Sequence, residues 1–341
     1  MTGLPFFQMT GLIAIVGPTA CGKTALAAAL ASRIGGEVIS GDSRQVYRGM
    51  DIGTGKDLAD YVVEGVRVPY HLIDIAEPGE KYNVYRFQTD FFAAYDDVLS
   101  RGRVPILCGG SGLYVESVLR GYNMPEVPEN KALRRSLEGR SLDELRVMLE
   151  ELKARNGSAM HNTTDVDTAK RAVRAIEIEL YVAEKAGEGE AYSSGVADEG
   201  EVIVADDVNS RQGEAVVHAS VFGISVDRDT RRSRISSRLR ARLDGGMVDE
   251  VHLLLDKGVS ADDLMYYGLE YRYVTEYVIG RIPYEEMFRR LEIAIHQFAK
   301  RQMTWFRGME RRGVPIRWID GSLPLDEKVN IIISEAGIIR S

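Results

Sequence analysis

The chain has 341 residues, 45% hydrophobic and 28% charged, which is enough apolar material for one large domain or for a core with an insertion. No run of about 18 apolar residues occurs, MTGLPFFQMTG at the start has neither a basic head nor a small-residue cleavage site, and the two cysteines, Cys21 and Cys108, each lie beside glycines. These features argue against membrane insertion, export and a disulfide scaffold, so a cytoplasmic protein is expected. A net charge of −8 argues against indiscriminate coating of nucleic acid and leaves room for a local basic face.

Leu12 to Val16 is a short apolar run fit for a buried strand, and Thr24 to Ile34, rich in Ala and Leu, predicts a helix ending at Gly35-Gly36. Between them Gly17, four residues, Gly22, Lys23 and Thr24 complete a P-loop. Gly17 and Gly22 permit backbone conformations that aim successive N–H groups at one anion beside a helix N-terminus. Lys23 adds a mobile positive charge, and the Thr24 hydroxyl is suited to hold Mg²⁺ against phosphates. The loop by itself does not choose between a nucleotide and another diphosphate ester. Cys21, beside Lys23 at a helix N-terminus, is expected to be a reactive thiol.

Val38 to Ser40 reads as the next strand, and Asp42 stands just past its end, on the edge where ligands bind in a parallel α/β sheet. A strand around His71 to Ile75, a Pro-Gly turn and an amphipathic helix from Val84 to Leu99 follow. Residues 104–121 repeat the plan of strand, glycine loop and helix. From Tyr122 the texture changes to prolines and then to two charged helical segments, 133–156 and 165–186. In the second, Ala169, Val173, Ile176 and Leu180 fall on one face, with Lys170, Arg171 and Arg174 as a basic group. Residues 185–217, rich in Gly, Glu, Asp and Ser, read as a mobile acidic connector in which only Val202–Val204 hints at order.

VFGISVD (221–227) returns the chain to the sheet. Seven arginines then lie between Arg228 and Arg242 against one acid, Asp229, on a helix whose buried side is Leu239, Leu243, Val251 and Leu255. Helices at 261–279 and 284–312 close the chain, with Trp305 and Phe306 assigned to the core. The whole predicts an α/β protein: a P-loop NTPase-like parallel sheet core with helices on both faces, built from 1–121 and 218–341, and a helical insertion at 122–217.

A P-loop commonly holds ATP or GTP, yet no apolar strand ends in a clear Walker-B aspartate unless Asp74 serves. Asp42 offers other chemistry. A carboxylate facing a bound diphosphate ester is able to take a proton from an incoming nucleophile while Lys23, Mg²⁺ and arginines stabilise the departing diphosphate. The rival reading is an Asx-turn residue that fixes the loop.

GPTACGKT, GDSRQVYRGMDIGTGK, YHLID, PILCGGSGLY, HNTTDVDTAKRAVRAIE, ISVDRDTRRSRISSRL and QFAKRQMTWFR, in that order over residues 11 to 320, resemble the tRNA dimethylallyltransferases of the bacterial isopentenyltransferase type. The resemblance implies transfer of a dimethylallyl group from dimethylallyl diphosphate to N6 of the adenosine next to the anticodon (position 37), with Mg²⁺ and release of pyrophosphate. It implies that Gly17, Thr19, Ala20, Cys21, Gly22, Lys23 and Thr24 bind the diphosphate and metal. Asp42 would be the general base, and Ser43, Arg44, Gln45 and Ser111 would line the adenine side. Arg134, Lys170, Arg171 and Arg174 would contact tRNA, and Arg228, Arg234 and Arg238 would clamp pyrophosphate, Arg234 and Lys23 acting in catalysis. A monomer is expected. MYYGLEYRYV (265–274) stands where that family carries a Gly-Tyr-Lys/Arg-Glu/Gln pattern. Prenyl transfer to free AMP or ADP, a small-molecule kinase and a noncatalytic RNA-binding protein are the alternatives: the insertion speaks against the first and the pairing of Lys23-Thr24 with Asp42 against the last, while an ATP hydrolysis or phosphoryl-transfer assay separates the kinase.

Overall fold

The computed structural model describes residues 7–8, 11–122, 126–156, 168–187 and 217–340. In chain order, β1 (Phe7–Gln8) and β2 (Leu12–Val16) lead through the P-loop to α1 (Lys23–Ile34) and β3 (Gly36–Ser40). A helical turn at Leu58–Tyr61, the hairpin β4 (Val62–Val63) and β5 (Val66–Arg67), then β6 (Tyr70–His71), α2 (Val84–Ser100), β7 (Val104–Gly109) and α3 (Gly112–Leu119) follow. Three helices come next: α4 (Lys131–Ser136), α5 (Leu142–Asn156) and α6 (Ala169–Gly187). The chain ends with β8 (Ala219–Ser225), α7 (Arg228–Arg242), α8 (Val248–Asp256), α9 (Ala261–Tyr266), α10 (Leu269–Val278), α11 (Tyr284–Arg311), β9 (Ile316–Asp320), α12 (Leu325–Glu335) and β10 (Ile339–Arg340). Two compact units result, one of Met1–Arg120 with Val216–Ser341 and one of Gly121–Ala215.

The first unit is built on a six-stranded sheet in the order β6-β3-β7-β2-β8-β9, every pair parallel. Alternation explains its two-sided burial. Leu12, Ala14 and Val16 of β2 join Phe87, Phe91, Val115 and Leu291 on one face. Ile13 and Ile15 join Leu26, Leu30, Val329 and Ile332 on the other. A strand covered on both faces has no use for polar residues, which is why β2 is a continuous apolar run. Because all strands point one way, their carboxyl ends share an edge. That edge gathers the P-loop after β2, Gly41–Gln45 after β3, Gly110–Ser111 after β7 and the start of α7 after β8.

The strand expected from His71 to Ile75 ends at His71, because Leu72 (φ 61°) and Asp74 (φ 58°) turn the chain through left-handed conformations. The helix expected over 261–279 is two helices, broken at Gly268, whose φ of 132° is not helical. The arginine-rich helix passes through a π-helical turn at Leu243–Met247, with Gly246 at φ 99°, before α8. β9 and α12 have no counterpart in the sequence reading; β9 pairs with β8 at the sheet edge. Among the described residues no helix is long and apolar enough to cross a membrane.

In the second unit, α5 and α6 pack through Leu145, Leu149, Ala172 and Ile176, joined by Leu137. The α6 face differs from the expected one: Ala169 is exposed and Leu180 is 38% exposed, while Ala172, Ile176, Glu177 and Glu179 are buried. Cross-helix pairing is the reason. Glu179 meets Lys153 of α5 at 3.0 Å, and Glu177 takes Arg134 of α4 at 2.9 Å in addition to Arg174 of its own helix at 2.5 Å. Hydrophobic spacing within one helix carries no information about such partners. The connector expected over 185–217 begins later than expected, because 185–187 are the end of α6; residues 188–216, with Val202–Val204, and residues 161–167 of the quoted HNTTDVD segment lie outside the described residues.

Candidate active site

The P-loop is shaped by two glycines that no other residue replaces without strain. A Cβ on Gly17, at φ 155°, would sit 2.9 Å from Cys21 Sγ and 3.2 Å from the Ile224 carbonyl. Gly22 caps α1 in the left-handed conformation at φ 86°, with no side-chain cap and no acidic residue in the first helical turn. The N–H groups of that turn therefore have neither a side-chain acceptor nor a negative charge of the protein's own, which suits them to an external anion. Helices α8, α9, α11 and α12, by contrast, each carry two acids in the first turn. Lys23 Nζ donates to the Pro18 carbonyl at 2.9 Å and lies 3.9 Å from Cys21 Sγ. Thr24, in the first turn of α1, is half-buried.

Cys21 corrects the expectation of a reactive thiol. It is 1% exposed, packed under Gly17. Cys108, at the end of β7, is buried as well, and burial pushes its thiol up to about 12 although nearby Lys23 opposes the shift.

The loop after β3 places Asp42 with one carboxylate oxygen, Oδ1, accepting the Arg44 N–H at 3.1 Å, and with its own N–H donated to Ser40 Oγ at 3.3 Å. Asp42 is thus an Asx-turn residue, and that turn aims the carboxylate. Ser43 N–H donates to Ser111 Oγ at 3.0 Å, and Ser111 Oγ donates to Ser43 Oγ at 3.2 Å, so the β3 and β7 loops are tied together. Gln45 accepts from Ser40 Oγ at 2.8 Å and donates to the Gly55 carbonyl at 3.1 Å, which commits its amide to the 51–57 loop. Arg44 lies over the half-exposed Tyr266 ring, 5.2 Å from its centroid.

The arginines divide along α7. Arg228 is exposed at its first turn, and Arg234 is half-buried. Arg238 is ion-paired with Asp57. At 1.5 Å rise per residue Arg228 and Arg238 stand about 15 Å apart along the axis, so the helix does not bring both backbones to one phosphate. Arg242, part of the arginine run but not expected in the site, packs against Gly55, 3.8 Å from Asp57 and 3.7 Å from Glu270. Burial raises the Glu270 carboxyl, with the Arg242 charge opposing.

Three further residues escaped the sequence reading. Glu250 receives the N–H groups of Asp51 and Ile52 at 2.8 Å and that of Gly53 at 3.0 Å, clamping the loop that carries Gly55 and Asp57. Lys56, 1% exposed, is held by Asp51, Asp74 and the Tyr47 carbonyl. Asp74 is therefore neutralised by Lys56, three strands from the P-loop strand, and does not serve as a Walker-B aspartate. Gln302 of α11 accepts the Thr19 N–H at 2.8 Å. Its signal was a polar residue on the otherwise apolar stripe Leu291, Ile295, Ala299, Phe306.

Arg134 and Arg174, both in the second unit, converge on buried Glu177, while Lys170 and Arg171 are exposed.

Among the described residues no group of three or more His, Cys, Asp or Glu is able to hold a metal. A hydroxyl at a P-loop is the donor set of a Mg²⁺ that keeps most of its waters and takes substrate phosphate oxygens, so Thr24 fits such an ion.

A parallel sheet with an uncapped P-loop helix beside a loop that aims a carboxylate defines an α/β P-loop enzyme. The family model described as IPP transferase matches residues 45–309, and the isopentenyl transferase model matches residues 10–73. The chain is 54% identical to tRNA dimethylallyltransferase 1 of Parabacteroides distasonis over 93% of this chain and 95% of that one. It is 54% identical to tRNA dimethylallyltransferase 2 of Phocaeicola vulgatus over 95% of this chain and 96% of that one. The solved full-length tRNA isopentenylpyrophosphate transferase of Bacillus halodurans superposes with a TM-score of 0.65 at 31% identity, covering 96% of this chain and 97% of that one. The chain belongs to the IPP transferase family and is a prenyltransferase.

Proposed function

We propose that this protein transfers the dimethylallyl group of dimethylallyl diphosphate to N6 of adenosine 37, next to the anticodon of tRNA, in the cytoplasm and as a monomer, with Mg²⁺ as cofactor. The observation that carries the reading is the shared edge: an anion cradle with no negative charge of its own after β2, and the Asp42–Ser43–Ser111 cluster on the neighbouring loops. The donor's diphosphate lies on the N–H groups of Ala20 to Thr24, the Thr19 N–H being taken by Gln302, with Lys23 on its oxygens. As its C–O bond breaks, the electron pair goes to the pyrophosphate oxygen, and the N6 lone pair forms the new C–N bond. The N6 proton passes to the Asp42 carboxylate. Charge that builds on pyrophosphate is stabilised by Lys23 and the helix N-terminus, with Arg234 and one of Arg228 or Arg238 of α7 beside it. Thr24 would hold the Mg²⁺, which when bound would supply further neutralisation of the leaving group. Ser43, Arg44, Gln45 and Ser111 form the adenine side, and a base edge inside an RNA loop is reached by flipping it out of its stack. Lys170 and Arg171 take tRNA phosphates; Arg134 and Arg174 brace the helix that presents them.

Incubation with dimethylallyl diphosphate, Mg²⁺ and unmodified tRNA tests the reading: one added C5H8 on an adenosine, read by mass after digestion to nucleosides, is the expected result. No such product, or the same product on free AMP at a comparable rate, refutes it.

A further inference from the structure

The two glycine loops of the site do not touch by chance packing; one side chain joins them. Gln302, in the middle of α11, is 6% exposed. Its Oε1 accepts the Thr19 N–H of the P-loop at 2.8 Å, and its Nε2 donates to the Gly110 carbonyl of the β7 loop at 2.8 Å. Thr19 offers only a donor there and Gly110 only an acceptor, so the amide has one orientation that satisfies both. The slot is made to its measure: a Cβ on Gly110 would lie 2.5 Å from Gln302 Nε2 and 3.6 Å from Lys23 Nζ. One turn further along α11, Trp305 packs on Gly112, where a Cβ would sit 2.2 Å from the indole ring. Ser111, next to Gly110, bonds Ser43, the neighbour of Asp42. A line of hydrogen bonds thus runs from the diphosphate loop through Gln302 to the loop that carries the base.

We infer that Gln302 is a positioning residue that sets the spacing between the diphosphate loop and the Asp42–Ser111 loops, without itself touching either substrate. The inference rests on the proposed prenyl transfer for its catalytic consequence. A displacement needs the attacking nitrogen and the donor carbon within about 3–3.5 Å, and a misplacement of about 1 Å costs on the order of 10²-fold in rate. The backbone of the P-loop is anchored at Thr19 by a neutral amide. A carboxylate there would repel the Gly110 carbonyl and add negative charge beside the diphosphate, and an apolar side chain would leave a buried N–H and a buried C=O without partners.

Two variants test it. Gln302→Met keeps length and burial and makes neither hydrogen bond. Its single-turnover rate at saturating tRNA and dimethylallyl diphosphate is expected to fall about 10–100-fold, and its affinity for Mg²⁺-pyrophosphate, measured by calorimetry, about tenfold or more. Its tRNA dissociation constant stays within about twofold, since Gln302 does not touch the RNA. Gln302→Glu supplies the sharper readout. When protonated, its carboxyl accepts from Thr19 and donates to Gly110 as the amide does, so the ratio of its rate to that of the wild type rises as pH falls. Dividing by the wild type removes any titration the two enzymes share. A Gln302→Met enzyme with wild-type single-turnover rate and pyrophosphate affinity, or a pH-independent Gln302→Glu ratio, overturns the inference. Should the wild type transfer no prenyl group, the functional reading fails, while the pyrophosphate titration still decides the role of Gln302. Should Gln302→Met not fold, the Gln302→Glu ratio decides it.

Discussion

Replacing Asp42 by Asn separates the two jobs that the structure gives this residue. Oδ1 of Asp42 accepts the Arg44 N–H at 3.1 Å and holds the turn, and the carbonyl oxygen of an asparagine keeps that bond. Only the capacity to take a proton disappears. A positioned general base contributes about 10²–10⁴-fold, or ~2.7–5.5 kcal/mol of barrier at ~1.36 kcal/mol per decade. Asp42→Ala loses that and the turn bond as well, worth about 0.5–1.5 kcal/mol, so it falls up to about tenfold below Asp42→Asn. The assay is single-turnover transfer with enzyme in excess over tRNA, which excludes product release, read alongside filter binding of tRNA. The expected pattern is a large rate loss in Asp42→Asn with tRNA binding little changed, and a further loss in both for Asp42→Ala. An Asp42→Asn enzyme within threefold of wild type would refute the reasoning and leave Asp42 as a loop-fixing residue alone.

Thr24→Ala is expected to raise the Mg²⁺ concentration for half-maximal rate about tenfold, equivalent to ~1.4 kcal/mol, with Thr24→Ser restoring it, as a magnesium titration of the rate will show. Lys170→Ala combined with Arg171→Ala should raise the KM for tRNA and lower the salt slope of binding by about 1 for each phosphate that is no longer neutralised, while saturating single-turnover chemistry stays unchanged. Neither Cys21 nor Cys108 should react with a thiol reagent until the protein is unfolded, since both are buried, which a denaturant series with a chromogenic disulfide will measure. Burial pushes the Glu37 carboxyl up, but hydrogen bonds from Arg101 and His71 outweigh it and leave it below the ordinary value of 4.5. A lowered carboxyl stabilises the fold fully above that value and ceases to as pH falls through its folded value. The Tm deficit of Glu37→Gln is therefore expected to be largest at neutral pH and to shrink below about pH 4.5 in a thermal series.

The local sequence determined the parts of this protein that depend on near neighbours. Gly17, Gly22, Lys23 and Thr24 specify an anion-binding turn because the conformations they allow and the charge they add are properties of a few consecutive residues. Leu12–Val16 specifies a strand buried on both faces because nothing in it is fit for water. The order of the motifs was enough to indicate the family. What separate segments do to one another was decided by the tertiary structure. Leu180 is exposed on α6 while Glu177 and Glu179 are buried against Arg134 of α4 and Lys153 of α5. Asp74 is removed from any metal role by Lys56. Cys21 is sealed under Gly17. Gln302 reaches Thr19 across 283 residues of sequence. A hydrogen bond or ion pair forms where two groups meet in space, and the energy of each depends on how far both are withdrawn from water. Neither quantity is carried by the spacing of residues along a single segment.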